Sequence, residues 1–169
     1  VDAVSIFGER LSSLIVTRQF QRAGLPAVHL DSRKVIVTDK RHSQAAPLYA
    51  ETYARLSATI PALAATSVVV MGGFIGATED GVTSTLGRGG SEFTAAIAGA
   101  GIGAEEIQIW TDVDGMLTCD PTVLPCGHRI KHISFAEAAE LSYFGAKVLH
   151  PSTVVPAIER NIPVLILNS

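Results

Sequence analysis

The chain has 169 residues, is 47% hydrophobic and 17% charged, and carries a formal net charge of -3. That balance excludes a disordered chain and supplies enough apolar residues for one domain with a real core. No basic run suits nucleic acid, no apolar stretch is long enough for a membrane helix, and no signal peptide opens the chain. Cys119 and Cys126 lie seven apart. They lack the spacing of a zinc ribbon or a thioredoxin motif, so ordinary thiols in a cytoplasmic protein are expected.

Phe7, Leu11, Leu14 and Ile15 fall on one face of a helix expected over 5–23, with Gly24 as its cap and Pro26 as its stop. "AVHLDS" and "KVIVTD" read as strands. A helix is expected over 47–60, with Pro47 in its first turn. "TSVVVMGGF" is too apolar to face solvent on either side, as in a central parallel strand. "GATEDGVTSTLG" reads as a hairpin turning at Glu79-Asp80-Gly81.

The alanine-rich segment 89–101 is expected to be helical, with small residues that allow close packing, and Ser91 is a plausible cap. "EEIQIWTD" reads as the next buried strand, with Trp110 in the core. Ser134 and Glu137 form a capping box before "FAEAAELSYF", which Gly145 closes. His150-Pro151 opens a further helix, disturbed at Pro156, and "VLILN" is a last strand. Strands alternating with helices imply a mostly parallel sheet with helices on both faces. Ligands then sit beyond the carboxyl ends of the strands. The loops at Gly72-Gly73, at "WTDVDG" and before "GAKVLHP" should converge there.

"TLGRGGSEFTAA", residues 85–96, carries the chemistry. It places bare glycine backbone, a cation and a carboxylate at a helix start. Unpaired N–H groups and the helix dipole favour an anion at such a start. A flexible turn followed by a helix cap is the structural alternative.

"FGERLSS", "TLGRGGSEFTAA", "IWTDVDGMLTCDP" and "FAEAAELSYFGAKVLHP" follow one another in this order. Together they resemble the catalytic domain of aspartate kinases, in the amino acid kinase family, over 5–169. The resemblance implies an α/β fold, a three-layer αβα sandwich around a mainly parallel sheet. It implies ATP-dependent phosphorylation of the L-aspartate side-chain carboxylate to 4-phospho-L-aspartate, an early step towards lysine, threonine and methionine. It further implies ATP with Mg2+, a cytoplasmic location, no nucleic-acid or membrane partner, and a homo-oligomer in the longer parent.

By the same resemblance, Arg88 grips a substrate carboxylate, as its planar fork would allow. Gly89, Gly90 and Ser91 bring backbone donors to the aspartate and the transferring phosphoryl group. Glu9 holds the amino group; dipole complementation in a first helical turn is the alternative. Thr111, Asp112, Leu117, Lys147 and Val148 stand at nucleotide positions, and Glu92 with Arg88 at catalytic ones. No protein-borne metal site is implied. His150 reads as structural.

Three departures stand out. Glu92 replaces the usual Asp, moving the charge by one methylene. Leu117 and Thr122 stand where relatives often carry Tyr and Arg. No K-F-G-G-type lysine loop and no ACT domain can be read in the chain. It is therefore expected to be a single domain, 1–169, the major part of a kinase domain and inactive in isolation. Other kinases of the fold, acting on glutamate, acetylglutamate or a nucleotide monophosphate, remain alternatives, as does a non-catalytic binding module. A dinucleotide oxidoreductase is disfavoured, since no G-x-G-x-x-G follows the first strand.

Overall fold

The computed structural model describes residues 1–113, 115–119, 127–143 and 153–169. Two helices, α1 (Asp2–Ser5) and α2 (Phe7–Arg22), stand where one was expected over 5–23. The apolar face of α2 points outward: Leu11 is 57% and Ile15 66% exposed. The buried residues of α2 are Ser13 and Thr17, and the helix packs on β1 (Ala27–Leu30) and β3 (Val68–Met71). Small hydroxyl side chains allow this close approach because their protons are used locally. Thr17 Oγ1 donates to the Ser13 carbonyl at 2.7 Å, and Ser13 Oγ to the Arg10 carbonyl at 3.0 Å. Gly24, at φ +81°, ends the helix as its type allows.

β1 leads into a single 3-10 turn, Ser32–Lys34, capped by Asp31. This turn shortens the expected second strand to β2 (Val37–Thr38), although Val35 and Ile36 stay buried. Helix α3 (Tyr49–Ala64) begins after Pro47, which bridges to Thr38 instead of opening the helix. It also runs past the expected end at residue 60, with Pro61 inside. Proline removes one hydrogen bond there, while Ile60 and Leu63 anchor the last turn in the core.

β1 and β3 pair in parallel, with α2 and α3 packed against β3. β3 is nonetheless half-buried, with Val68 46% exposed, and among the described residues it pairs with β1 alone. The fully buried strand expected from its composition is therefore not what the described residues form. The hairpin expected over 76–87 is present as β4 (Ile75–Thr78) and β5 (Thr83–Thr85), antiparallel, with β2 parallel to β4.

Helix α4 (Gly90–Ile102) packs between α3 on one side and β6 (Ile107–Thr111) with α6 (Val155–Glu159) on the other. Its small residues make this possible: a Cβ on Gly101 would lie 2.7 Å from Leu56, and one on Gly99 2.7 Å from Ile107. Ser91 is not the cap. Gly89, at φ +71°, holds that position and Ser91 sits inside the first turn. Trp110 is not core either. It is 62% exposed on the outer face of β6, where its Nε1 donates to Gln108 Oε1.

The capping box before α5 (Phe135–Tyr143) forms as expected. Ser134 N–H donates to Glu137 Oε2 at 2.9 Å, and Glu137 N–H to Ser134 Oγ at 3.3 Å. Pro156 lies in the first turn of α6, where its missing N–H costs nothing, and so does not disturb the helix. β7 (Val164–Asn168) pairs in parallel with β6 over its whole length. Gly145, His150 and Cys126 lie outside the described residues. The result is a mixed α/β fold with mainly parallel pairing and helices against the strands.

Candidate active site

Four segments meet at the carboxyl end of β3. β3 ends in Gly72-Gly73-Phe74, and this turn lies against the start of α4. A Cβ on Gly73 would sit 2.9 Å from Ser91 Cα, and one on Gly90 would sit 2.8 Å from Phe74 Cδ2. Glycine is required at both places because backbone approaches backbone or ring. The Glu9 carbonyl lies 3.3 Å from the Cβ position of Gly72, so the first turn of α2 joins the same cluster. On the other side, a Cβ on Gly89 would lie 2.8 Å from Thr153 Cγ2 and 3.9 Å from Glu92 Oε2.

The loop before α4 alternates two left-handed glycines with Arg88: Gly87 at φ +78° and Gly89 at φ +71°. No side chain caps the helix, so Ser91 and Glu92 present backbone N–H groups at its positive end. Arg88 is exposed and forms no ion pair among the described residues; nor do Glu9 and Glu92, both half-buried. Arg88, Glu9 and Glu92 are thus carried on segments that meet at this glycine turn, beside the backbone donors of the α4 start. Backbone donors at the positive end of a helix can hold an anion.

Neighbouring acids are already engaged. Asp31, at the carboxyl end of β1, accepts from Arg33 Nε and Nη2, which holds its carboxyl below the usual range. Ser32, which is buried, donates through Oγ to the Gly72 carbonyl.

Thr111 and Asp112 lie at the carboxyl end of β6. A 13-residue helix is about 20 Å long and a five-residue strand about 16 Å. Leaving α4 at Ile102, β6 therefore brings Thr111 back towards the level of the α4 start. Thr111 Oγ1 donates to Asp112 Oδ1 at 3.2 Å, and its carbonyl accepts from Ser169 N–H at 2.9 Å. No hydrogen bond or ion pair joins Thr111 or Asp112 to the Arg88 loop among the described residues. Leu117 sits apart, in a two-stranded turn bridged to Arg129. Lys147, Val148 and Thr122 lie outside the described residues. Sequence reasoning missed Ser32, Phe74 and Thr94, which hold the glycine turn. Their roles depend on contacts across 20 to 40 positions of sequence, which no local pattern signals.

Mainly parallel strand pairing with helices packed against the strands places the chain in the α/β class. Residues 1–168 match the Amino acid kinase family, and the chain belongs to that family. It is 42% identical over 170 residues to the lysine-sensitive aspartokinase 3 of Escherichia coli, covering 99% of this chain and 37% of that protein. It is 39% identical over 180 residues to the chloroplastic aspartokinase 1 of Arabidopsis thaliana, covering 99% of this chain and 30% of that protein. The crystal structure of E. coli aspartokinase III in complex with aspartate and ADP matches with a TM-score of 0.91 at 40% identity. That match covers 99% of this chain and 37% of the other. The chain thus spans 30% to 37% of the length of these relatives.

Proposed function

We propose that this chain is the greater part of the kinase domain of a longer, cytoplasmic, homo-oligomeric aspartate kinase. That enzyme transfers the γ-phosphoryl group of ATP to the side-chain carboxylate of L-aspartate, supplying lysine, threonine and methionine synthesis. One observation carries this reading. The first turn of α2, which carries Glu9, and the uncapped α4 start, which follows Arg88, meet at a single glycine turn, in a chain 42% identical to a lysine-sensitive aspartokinase.

In this reading Arg88 grips a carboxylate of L-aspartate and Glu9 its ammonium group. The Gly89, Gly90 and Ser91 backbone lies against the transferring phosphoryl group, where fixed N–H dipoles stabilise developing charge. An aspartate side-chain oxygen attacks the γ-phosphorus, the bond to the β–γ bridging oxygen breaks, and ADP leaves. Glu92 orients this machinery from the first turn of α4. Thr111, Asp112 and Leu117 serve the nucleotide, together with Lys147 and Val148. Among the described residues no group of three or more metal-binding side chains comes together. In this reading Mg2+ enters with the ATP substrate, bound to its phosphates.

A coupled ADP-release assay with hydroxylamine trapping of the acyl phosphate tests the reading. The longer polypeptide should form aspartyl hydroxamate, and the 169-residue chain alone should not. Phosphoryl transfer needs charge neutralised at the transferring group, and the sequence carries no K-F-G-G-type lysine loop. Absence of aspartate-dependent turnover by the longer polypeptide would refute the assignment.

A further inference from the structure

Phe74 has a backbone conformation that bulky residues rarely adopt, with φ +68°. It is held there from α4. The Phe74 N–H donates to Thr94 Oγ1 at 2.9 Å, with a longer contact to the Gly90 carbonyl at 3.2 Å. Thr94 Oγ1 in turn donates to the Gly90 carbonyl at 2.7 Å. Thr94 is buried, so this hydroxyl has no competing water. The Phe74 carbonyl accepts from Leu86 N–H at 3.0 Å. At the other end of the turn, the buried Ser32 hydroxyl holds the Gly72 carbonyl.

We infer that Thr94 is a positioning residue for the substrate site. Its hydroxyl locks the Gly72–Phe74 turn onto the first turn of α4, and so sets the spacing between that turn and the Arg88–Ser91 loop. The argument is geometric. Gly73 lies against Ser91 and Gly90 against Phe74 at distances that admit no side chain. A small displacement of the turn therefore moves one wall of the site relative to the other. Thr94 has no direct role in the chemistry. A hydroxyl at this place gives the Phe74 N–H its shorter bond, and a methyl group leaves it only the 3.2 Å contact to the Gly90 carbonyl. The functional half of the inference rests on the aspartate kinase reading; the structural half does not.

The test compares Thr94→Val, which keeps shape and removes the hydroxyl, with Thr94→Ser, which keeps the hydroxyl. In the longer enzyme, Thr94→Val should raise KM for L-aspartate about ten-fold, the loss of one buried hydrogen bond. KM for ATP should change less than about two-fold, and Thr94→Ser should restore aspartate binding. Ser32→Ala, which frees the other end of the turn, should raise the same KM. In the 169-residue chain, hydrogen exchange at the Phe74 amide should accelerate at least about ten-fold in Thr94→Val and not in Thr94→Ser. An unchanged aspartate KM in Thr94→Val, with the unsubstituted enzyme active, overturns the inference. If the unsubstituted enzyme does not use aspartate, the functional reading fails instead. Phe74 exchange then decides the clamp alone, and an unchanged rate overturns it.

Discussion

Gly73 and Ser91 lie so close that a methyl group on Gly73 would fall 2.9 Å from Ser91 Cα. The strand-end turn and the helix start are thus in backbone contact, and Gly73→Ala must push them apart. Forced overpacking of this kind costs roughly 1–3 kcal/mol. We expect the variant to fold with a lowered Tm and to lose at least about ten-fold in kcat/KM for L-aspartate. Thermal unfolding paired with steady-state kinetics checks both. Wild-type kinetics in Gly73→Ala would show that the contact does not shape the site.

Arg88→Ala should leave the fold intact, because Arg88 is exposed and forms no ion pair among the described residues. Its expected loss is roughly 2–4 kcal/mol of transition-state stabilisation for aspartate, from a missing bidentate contact. An unchanged kcat/KM for aspartate would remove Arg88 from the site.

Glu92→Asp in the longer enzyme should hold or raise kcat while leaving the unfolding midpoint within about 0.5 kcal/mol. The carboxylate stays in the first turn of α4 and keeps its favourable relation to the helix dipole. Single-turnover kinetics report the chemical step directly. Loss of turnover would mean that the surrounding geometry is fitted to the longer side chain.

The outward face of α2 predicts a stability contrast. Ile15→Ala and Leu11→Ala should each cost less than about 1 kcal/mol, since both side chains are already largely in water. Ile97→Ala, in the buried cluster with Leu30, Val35 and Leu56, should cost about 2–5 kcal/mol. Urea unfolding of the 169-residue chain separates the two groups. A core-sized loss at Ile15 would contradict the orientation of α2.

Acid should weaken the anchor of α1. Burial alone would raise the Asp2 carboxyl, but the Ser43 N–H and hydroxyl, with His42, outweigh it and hold the group below its ordinary value. A carboxyl depressed in the folded state contributes stability above its unfolded value of about 3.9, and loses it as pH falls through the lower folded value. Asp2→Asn should therefore be less stable than the unsubstituted chain at pH 7. The gap should narrow below about pH 4. Denaturant midpoints at the two pH values would settle this, and a gap independent of pH would exclude the carboxylate.

Several features were legible in the sequence because they depend on neighbours in the chain. The Ser134–Glu137 capping box spans three residues, and the hairpin at Glu79-Asp80-Gly81 joins adjacent strands. The alternation of strand and helix implied a parallel α/β architecture, and the motifs around Arg88 carried the family. Other features were decided only by tertiary structure. Periodicity marks an apolar face of α2 but not which way it points; the hydroxyls of Ser13 and Thr17, satisfied within the helix, let the opposite face lie inward. β-branched composition in β3 and an aromatic at Trp110 report what burial would favour, whereas burial itself depends on what packs there. The Gly72–Phe74 turn depends on Ser32 and Thr94, reached across 40 and 20 positions. Hydrogen bonds of that separation leave no periodic trace, because the fold, and not the local chain, brings their partners together.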